Sequence, residues 1–513
     1  MASRRDELNA YTFAKRRTLA SFLQPSPTGS EEGAPKPLGA LVPGVVVGVV
    51  ILAVFGGIGM FKPTAPQGWA DVESHVIVAS KSTTRYVVLT TGKNKQKQLH
   101  PVLNMASAKL LLDPNKSSVI TVDENVLDNG KLPHGATIGI PYAPDRLPSS
   151  DEAEAAKRWA VCERPSAGGR AIQKATFVLA KKEWPKTEGT GKLSGGDLMY
   201  VVAPDGKSQY VVDAQGTAYK IADPSDTELL KALDTRGRAP QRVSQEWLDT
   251  LHKGDEISIP KITGGTPGTK ANASSLLGDY DKVGEVIKAY AGQVMQYYVV
   301  LPGKVARISE FTATLLLNSG DLVDVGQAGE AQQVSPGAVA DSTAFDADKN
   351  WPTDKPKTVN DGTSATSATS GPNTVCNVLR SVGADNRTTL STWVGTDYPA
   401  QLPTGSSSAY VTAGSGQLFR QVKGTEAKAG PVFLVTDTGL RYALQSNSDS
   451  ATDDSGIGTT AAQRKQELSE AEIAQTRLGY EKVTPTPVPA EWSTFLPMGP
   501  RLSEAAARQP QGS

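Results

Sequence analysis

Two cysteines and four histidines in 513 residues leave little material for metal or redox chemistry. No Cys-x-x-Cys pair occurs, and none of His75, His100, His134 and His252 lies at His-x-x-x-His spacing, so neither a zinc site nor any other metal or cofactor is expected. Net charge is missing as well. The 53 basic residues balance 53 acidic ones, which removes the electrostatic case for nucleic acid. Catalytic signatures are equally thin. There is no Gly-x-Ser-x-Gly elbow. The nearest approach to a phosphate loop is Gly206-Lys207-Ser208, where the leading glycine of the motif is replaced by Val201. Pro204-Asp205-Gly206-Lys207 instead separates Tyr200-Val201-Val202 from Tyr210-Val211-Val212, a hairpin-turn pattern. Carboxylate pairs such as Asp123-Glu124 and Asp453-Asp454 read as solvated loops rather than acid–base dyads. No catalytic, cofactor-binding or metal residue is assigned.

What the chain does have is one long uncharged run. Leu38 to Phe61 reads LGALVPGVVVGVVILAVFGGIGMF, 24 residues, enough for a bilayer core that needs roughly 20. A cleaved signal peptide is the alternative, disfavoured because its apolar region is typically about 7–15 residues and the preceding arm is long. Arg4, Arg5, Lys15, Arg16, Arg17 and Lys36 precede the run, against Asp6, Glu7, Glu31 and Glu32. That bias predicts a single-pass protein with its N-terminus cytoplasmic and residues 62–513 outside. Gly44 and Gly48 form a GxxxG step suited to close helix packing. In the arm, Leu8, Tyr11, Leu19 and Phe22 recur at helical spacing among the basic residues, a basic amphipathic helix for a lipid surface or a cytosolic partner.

Glycine (49) and proline (34) are plentiful, which fits many turns joining short strands with some helix. An apolar strand followed by a glycine turn recurs four times, beginning Tyr86-Val87-Val88, Tyr210-Val211-Val212, Tyr297-Tyr298-Val299 and Phe433-Leu434-Val435, with turn glycines Gly92, Gly216, Gly303 and Gly439. Leu-rich stretches follow at Leu110–Leu112, Leu229-Leu230 and Leu315–Leu317. Copies one and two also share Gly-x-x-Ile-x-Ile-Pro, at Gly135 to Pro141 and Gly254 to Pro260. Both cysteines, Cys162 and Cys376, lie beyond the apolar run. In an oxidising compartment they are expected to pair, two buried free thiols being the alternative. Residues 358–373 and 445–460 read as flexible, 463–478 as helical, and the last dozen residues as a loose tail.

The arm Ser3-Arg4-Arg5-Asp6-Glu7-Leu8-Asn9-Ala10-Tyr11-Thr12-Phe13-Ala14-Lys15-Arg16-Arg17, the single span, His100-Pro101-Val102-Leu103-Asn104 and Leu434-Val435-Thr436-Asp437-Thr438-Gly439 closely resemble the EccB family, core membrane components of the type VII (ESX) secretion machinery of actinobacteria. The resemblance implies an α+β fold: a cytosolic arm, one membrane helix, and a β-rich ectodomain of four repeat domains around a central disulfide-linked domain. On this chain the expected bounds are arm 1–37, span 38–61, repeats 72–141, 198–260, 280–340 and 431–500, central parts 142–197 and 341–430, and tail 501–513. It implies a structural subunit that assembles with EccC, EccD and EccE, self-associates, and contacts peptidoglycan through repeats that resemble a wall-binding module. Partner docking falls to Leu8, Tyr11, Phe13, Arg16, Arg17, Leu19 and Phe22, and membrane packing to Gly44 and Gly48. The rival readings are a membrane-tethered peptidoglycan-binding protein and, because some relatives carry an ATPase label, a nucleotide hydrolase. The missing phosphate-loop motif keeps that label from carrying over.

Overall fold

The computed structural model describes residues 3–23, 41–60, 65–91, 95–114, 116–166, 171–273, 280–327, 329–339, 343–345, 348–362, 371–403, 408–424, 430–444 and 470–511. They fall into two compact units, Met1–Gly68 and Trp69–Ser513. The first holds two helices. Arg4–Leu23 carries the basic arm, and Leu41–Met60 lies within the uncharged run. Side chains of the second helix are described as far as Phe55, and among the described residues no helix is long and apolar enough to cross a membrane.

The second unit is built from five sheets. The first contains β1 (His75–Ala79), β2 (Arg85–Thr91), β3 (Gln96–Val102) and β4 (Ser118–Val122), in the order β3-β2-β1-β4. After β5 (Arg158–Pro165) and β6 (Ile172–Leu179) comes a second sheet of β7 (Asp197–Val202), β8 (Gln209–Val212), β9 (Thr217–Lys220), β10 (Gln241–Arg242) and β11 (His252–Lys253). The third has β12 (Val286–Ala291), β13 (Val294–Leu301), β14 (Lys304–Ile308), β15 (Gln332–Gln333) and β16 (Thr343–Ala344). Strand β17 (Lys357–Thr358) adds to β7. Then β18 (Thr374–Val382), β19 (Thr388–Gly395) and β20 (Ala409–Val411) join β5 and β6 in a sheet ordered β19-β18-β5-β6-β20. Strands β21 (Gly416–Val422), β22 (Val432–Thr436), β23 (Arg441–Ala443) and β24 (Thr486–Pro489) complete the fourth peripheral sheet.

The four peripheral sheets share one topology. Three strands run as an antiparallel meander, and a fourth returns parallel to the first: β4 on β1, β10 on β7, β15 on β12, β24 on β21. A further segment lies parallel to the third strand, through Val102↔Ile138, β11 on β9, β16 on β14 and Arg441↔Met498. The middle strand of each meander is the apolar run singled out in the sequence. Its turn glycine adopts a left-handed conformation in all three described copies, φ 77° at Gly216, 75° at Gly303 and 80° at Gly439, which an L side chain reaches only with strain. Gly92 lies outside the described residues. Helices follow the third strand because a polar side chain caps each start: Asn104 before Met105–Leu110, Asp226 before Thr227–Ala232, Ser309 before Glu310–Leu317.

Apolar side chains join these sheets into shared cores. Val76, Val87 and Leu110 of the first sheet's region pack with Leu418, Leu434 and Leu502. Trp159, Val161 and Val375 of the disulfide sheet share one core with Val201 and Trp247 of the second sheet's region and with Phe419 and Trp492 of the fourth's. Leu229 and Tyr219 meet Phe311 and Leu315 from the third sheet's helix. Each fully buried large side chain of this kind contributes ~1.5–3 kcal/mol of burial free energy.

Three expectations need correcting. Residues 501–511 are no loose tail: Leu502 and Ala507 are fully buried, because helix Glu504–Ala507 docks its alanine face on the first sheet's core. The stretch 358–373 is ordered at both ends. Thr358 bonds Leu233 O, and Asn360 brackets Tyr200 through both backbone groups at 2.7 and 3.0 Å; residues 363–370 lie outside the described set. The fourth peripheral sheet begins at Gly416, ahead of the expected boundary at 431, since its first strand carries no turn glycine to mark it. Of the helix expected over 463–478, residues 470–477 are helical and the rest up to 469 lies outside the described residues, as does 445–460.

Candidate functional site

Cys162 on β5 and Cys376 on β18 sit directly opposite in the antiparallel ladder, Cα atoms 4.0 Å apart, and form the only disulfide; no cysteine is free. The bridge lies on one face of its sheet among Ala160, Phe177, Leu179 and Val378, edged by Trp184, Trp393, Tyr398 and Tyr410. Beside it, Arg158 stacks over Trp184 at 4.3 Å and donates to Glu188 at 2.6 Å. Arg380 and Lys192 meet the same carboxylate at 2.5 and 3.0 Å. Partial burial pushes Glu188 up, yet the bonds from Arg380 and Lys192 outweigh it and hold the carboxyl at about 2.

The other face carries polar ties to its neighbours. Trp247 donates to Val161 O at 3.2 Å, and Asn377 donates to Thr250 Oγ1 at 2.6 Å. Trp159 donates to Gln417 at 2.9 Å, reaching the fourth sheet. Glu163 is fully buried and accepts from the Ser244 amide at 2.8 Å and hydroxyl at 2.5 Å. Burial drives its carboxyl up, opposed by the Ser244 bonds and by Lys174. The arrangement is a hub. It fixes two sheets to the bridged pair of strands.

Gly206-Lys207-Ser208 forms the β7–β8 hairpin turn. Asp205 accepts from Lys207 N at 2.8 Å, Ser208 N at 2.9 Å and Ser208 Oγ at 2.6 Å. The Ser208 hydroxyl and these amides hold its carboxyl at about 2. The amides that would cradle a phosphate are already bound to a carboxylate.

On helix Arg4–Leu23, Leu8, Tyr11, Phe13, Leu19 and Phe22 are all exposed, Phe22 to 88%. Helical spacing puts Leu8, Tyr11, Leu19 and Phe22 on one side and Phe13 on another. Arg16 and Arg17 are exposed on the same helix. A Cβ at Gly44 or Gly48 would meet nothing within 4 Å, so both leave an open notch on their helix.

Sequence reasoning missed one recurring device. Gly135 lies against the His100 ring, Gly254 against Tyr219 and Gly499 against Tyr442, with a built Cβ falling 2.2, 2.3 and 2.5 Å from the ring. In each, a glycine on the last segment covers a ring on the third strand. The glycine of the shared Gly-x-x-Ile-x-Ile-Pro motif was the available signal. Glu163 and the tryptophan ties left none.

The family model described as type VII secretion system ESX-1, transport TM domain B (EccB) matches residues 1–512. The chain is 27% identical to the ESX-3 secretion system ATPase EccB3 of Mycobacterium tuberculosis, covering 90% of this chain and 82% of that relative. It is 27% identical to the ESX-1 secretion system ATPase EccB1 of Mycolicibacterium smegmatis over 54% of this chain and 53% of the relative. Its fold matches a solved EccB3 dimer from the ESX-3 core complex with TM-score 0.55 and 22% identity, over 85% of this chain and 99% of the other. It matches a chain of an intact ESX-5 inner membrane complex with TM-score 0.54 and 19% identity, over 100% and 96%. With the family model spanning nearly every residue, the chain belongs to the EccB family of the type VII secretion system.

Proposed function

We propose that this chain is a single-pass structural subunit of a type VII secretion membrane complex, with a cytoplasmic arm, a membrane helix within 38–61 and an extracytoplasmic body of four repeat domains around the bridged sheet. Two observations support the reading: the uncharged 24-residue run Leu38 to Phe61 in the sequence, and a large body that carries a disulfide. The arm docks cytosolic partners through Leu8, Tyr11, Phe13, Arg16, Arg17, Leu19 and Phe22, and Gly44 and Gly48 pack the membrane helix against another. The partners are the complex's other membrane subunits, EccC, EccD and EccE, and a second copy of this chain, in line with the EccB3 dimer among the solved relatives. The ATPase in the relatives' names is not carried over, since the one phosphate-loop candidate is an aspartate-filled turn.

Protease added to intact protoplasts should remove residues beyond 62 and leave the arm protected, and mild detergent extraction should bring down other membrane subunits. A body that resists protease until lysis would reverse the topology, and purification of the chain alone would favour an independent wall-binding protein.

A further inference from the structure

A strand at the edge of a sheet offers unpaired amides and carbonyls, and proteins blunt such edges with proline, charge, brevity or a cover. The four peripheral sheets permit an internal comparison, because each has one strand returning parallel to the first. In the second and third sheets this strand is two residues long, β10 and β15. In the fourth, β24 is Thr-Pro-Val-Pro, blunted by two prolines. In the first sheet β4 is Ser-Val-Ile-Thr-Val, five residues without charge or proline, three of them β-branched aliphatics of high strand propensity. It pairs on one side only, with β1, and among the described residues no strand covers the other. Val119 is 55% exposed.

The hydrogen bonds to β1 fix which groups face outward. Ser118 N bonds Ser74 O at 3.3 Å and Val122 O receives Ser80 N at 3.0 Å, so the even-numbered residues point inward and Val119 and Thr121 present N–H and C=O to solvent. We infer that this edge of β4 pairs antiparallel with β4 of a second copy of the chain about a two-fold axis at Ile120, joining two first sheets into one. This rests on the self-association proposed above and names its surface and register. With Ile120 opposite itself, Val119 and Thr121 of the two copies exchange hydrogen bonds and no like charges meet. The strand ends are complementary as well. Lys116, exposed and outside any ion pair recorded among the described residues, comes beside the partner copy's Glu124. The Glu124 carboxylate is held in place by Ser82 N, Lys81 N and Ser80 Oγ, and those bonds keep it ionised, at about 2. Shifting the axis to residue 119 or 121 would set Lys116 against Val122 or Val126 instead. Such self-complementarity is what an isologous contact requires.

A five-residue seam is small beside the ~1,200–2,000 Å² of a stable interface, so a trapping experiment suits it. Residues opposite each other without mutual hydrogen bonds approach to about 4.5 Å between Cα atoms, within disulfide range. Ile120→Cys in the full chain in membranes should therefore yield a chain-to-chain disulfide joining the two 120 positions, mapped by peptide mass spectrometry. Thr121→Pro in that background, which removes an outward N–H, should abolish the cross-link while thermal unfolding is unchanged. Lys116→Glu should slow it several-fold. Cross-linking undiminished by Thr121→Pro, or none with Ile120→Cys although the chain self-associates, would overturn the seam and leave self-association standing. A wild-type chain that is monomeric in membranes would overturn both.

Discussion

Cys162 and Cys376 close a loop of 214 residues, and losing that constraint should cost the body stability. Native bridges are worth ~2–5 kcal/mol. Cys376→Ser should lower the thermal midpoint accordingly, and native mass spectrometry of the wild type should find no alkylatable thiol. Glu188 makes a sharper test, of pH. Its carboxyl falls from an ordinary value of 4.5 to about 2 in the folded chain. A depressed acid stabilises above the unfolded pKa and loses that contribution as pH falls through the folded one. The wild type should therefore lose stability between pH 4.5 and about 2, and Glu188→Gln should flatten that part of the curve while lowering the midpoint at neutral pH, where Arg158 and Arg380 lose their partner. Glu163 works in the opposite sense. Burial raises its pKa, so acid protonates it at no cost to the hub.

Among elements, the last segment of three peripheral sheets is locked by a glycine lying on a ring. Gly254→Ala would place a methyl 2.3 Å from Tyr219, whose ring is buried and whose hydroxyl is tied to Asp213 at 3.0 Å, so neither can retreat freely. Overpacking of this kind costs ~1–3 kcal/mol; urea unfolding of the variant should show it, whereas Lys253→Ala on the adjoining exposed strand should be near neutral. The arm helix calls for a different experiment. Tyr11→Ala with Arg16→Ala should release the chain from its membrane partners without altering the melting of the body, because interface energy concentrates in a few aromatic and Arg anchors. Wild-type co-purification of that double variant would make the arm a lipid-surface helix. Middle strands were legible in the sequence because a β-branched run ending in a left-handed glycine is a local pattern. First strands such as β21, and the parallel return strands, were not. Their pairing depends on residues far away, and two-residue strands such as β10 leave no periodicity to read.

At the scale of the molecule, the Cys pairing followed from two residues and a compartment, but the order in which sheets touch did not, since it rests on contacts such as Trp159–Gln417 and Leu229–Phe311. The packing of residues 502–511 carries a consequence for how the protein comes into being. Ile138 pairs with Pro510, Gly139 N bonds Gln509 O, and Gln511 donates to Gly139 O at 2.8 Å. Leu502 belongs to the same core as Val76 and Val87. The first sheet is thus completed by residues far later in the chain, Gln511 lying 372 positions after Gly139, and contacts of such separation close slowly. Until then its core stands open to water, proteases and chaperones. Deleting residues 502–513 should leave the disulfide sheet folded while hydrogen exchange across β1–β3 rises toward unprotected rates; losing Leu502 alone removes ~2–5 kcal/mol. In a nascent chain the first sheet stays unfinished until residues 502–511 arrive, so the time needed to deliver the intervening segment sets how long a holding factor must shield it.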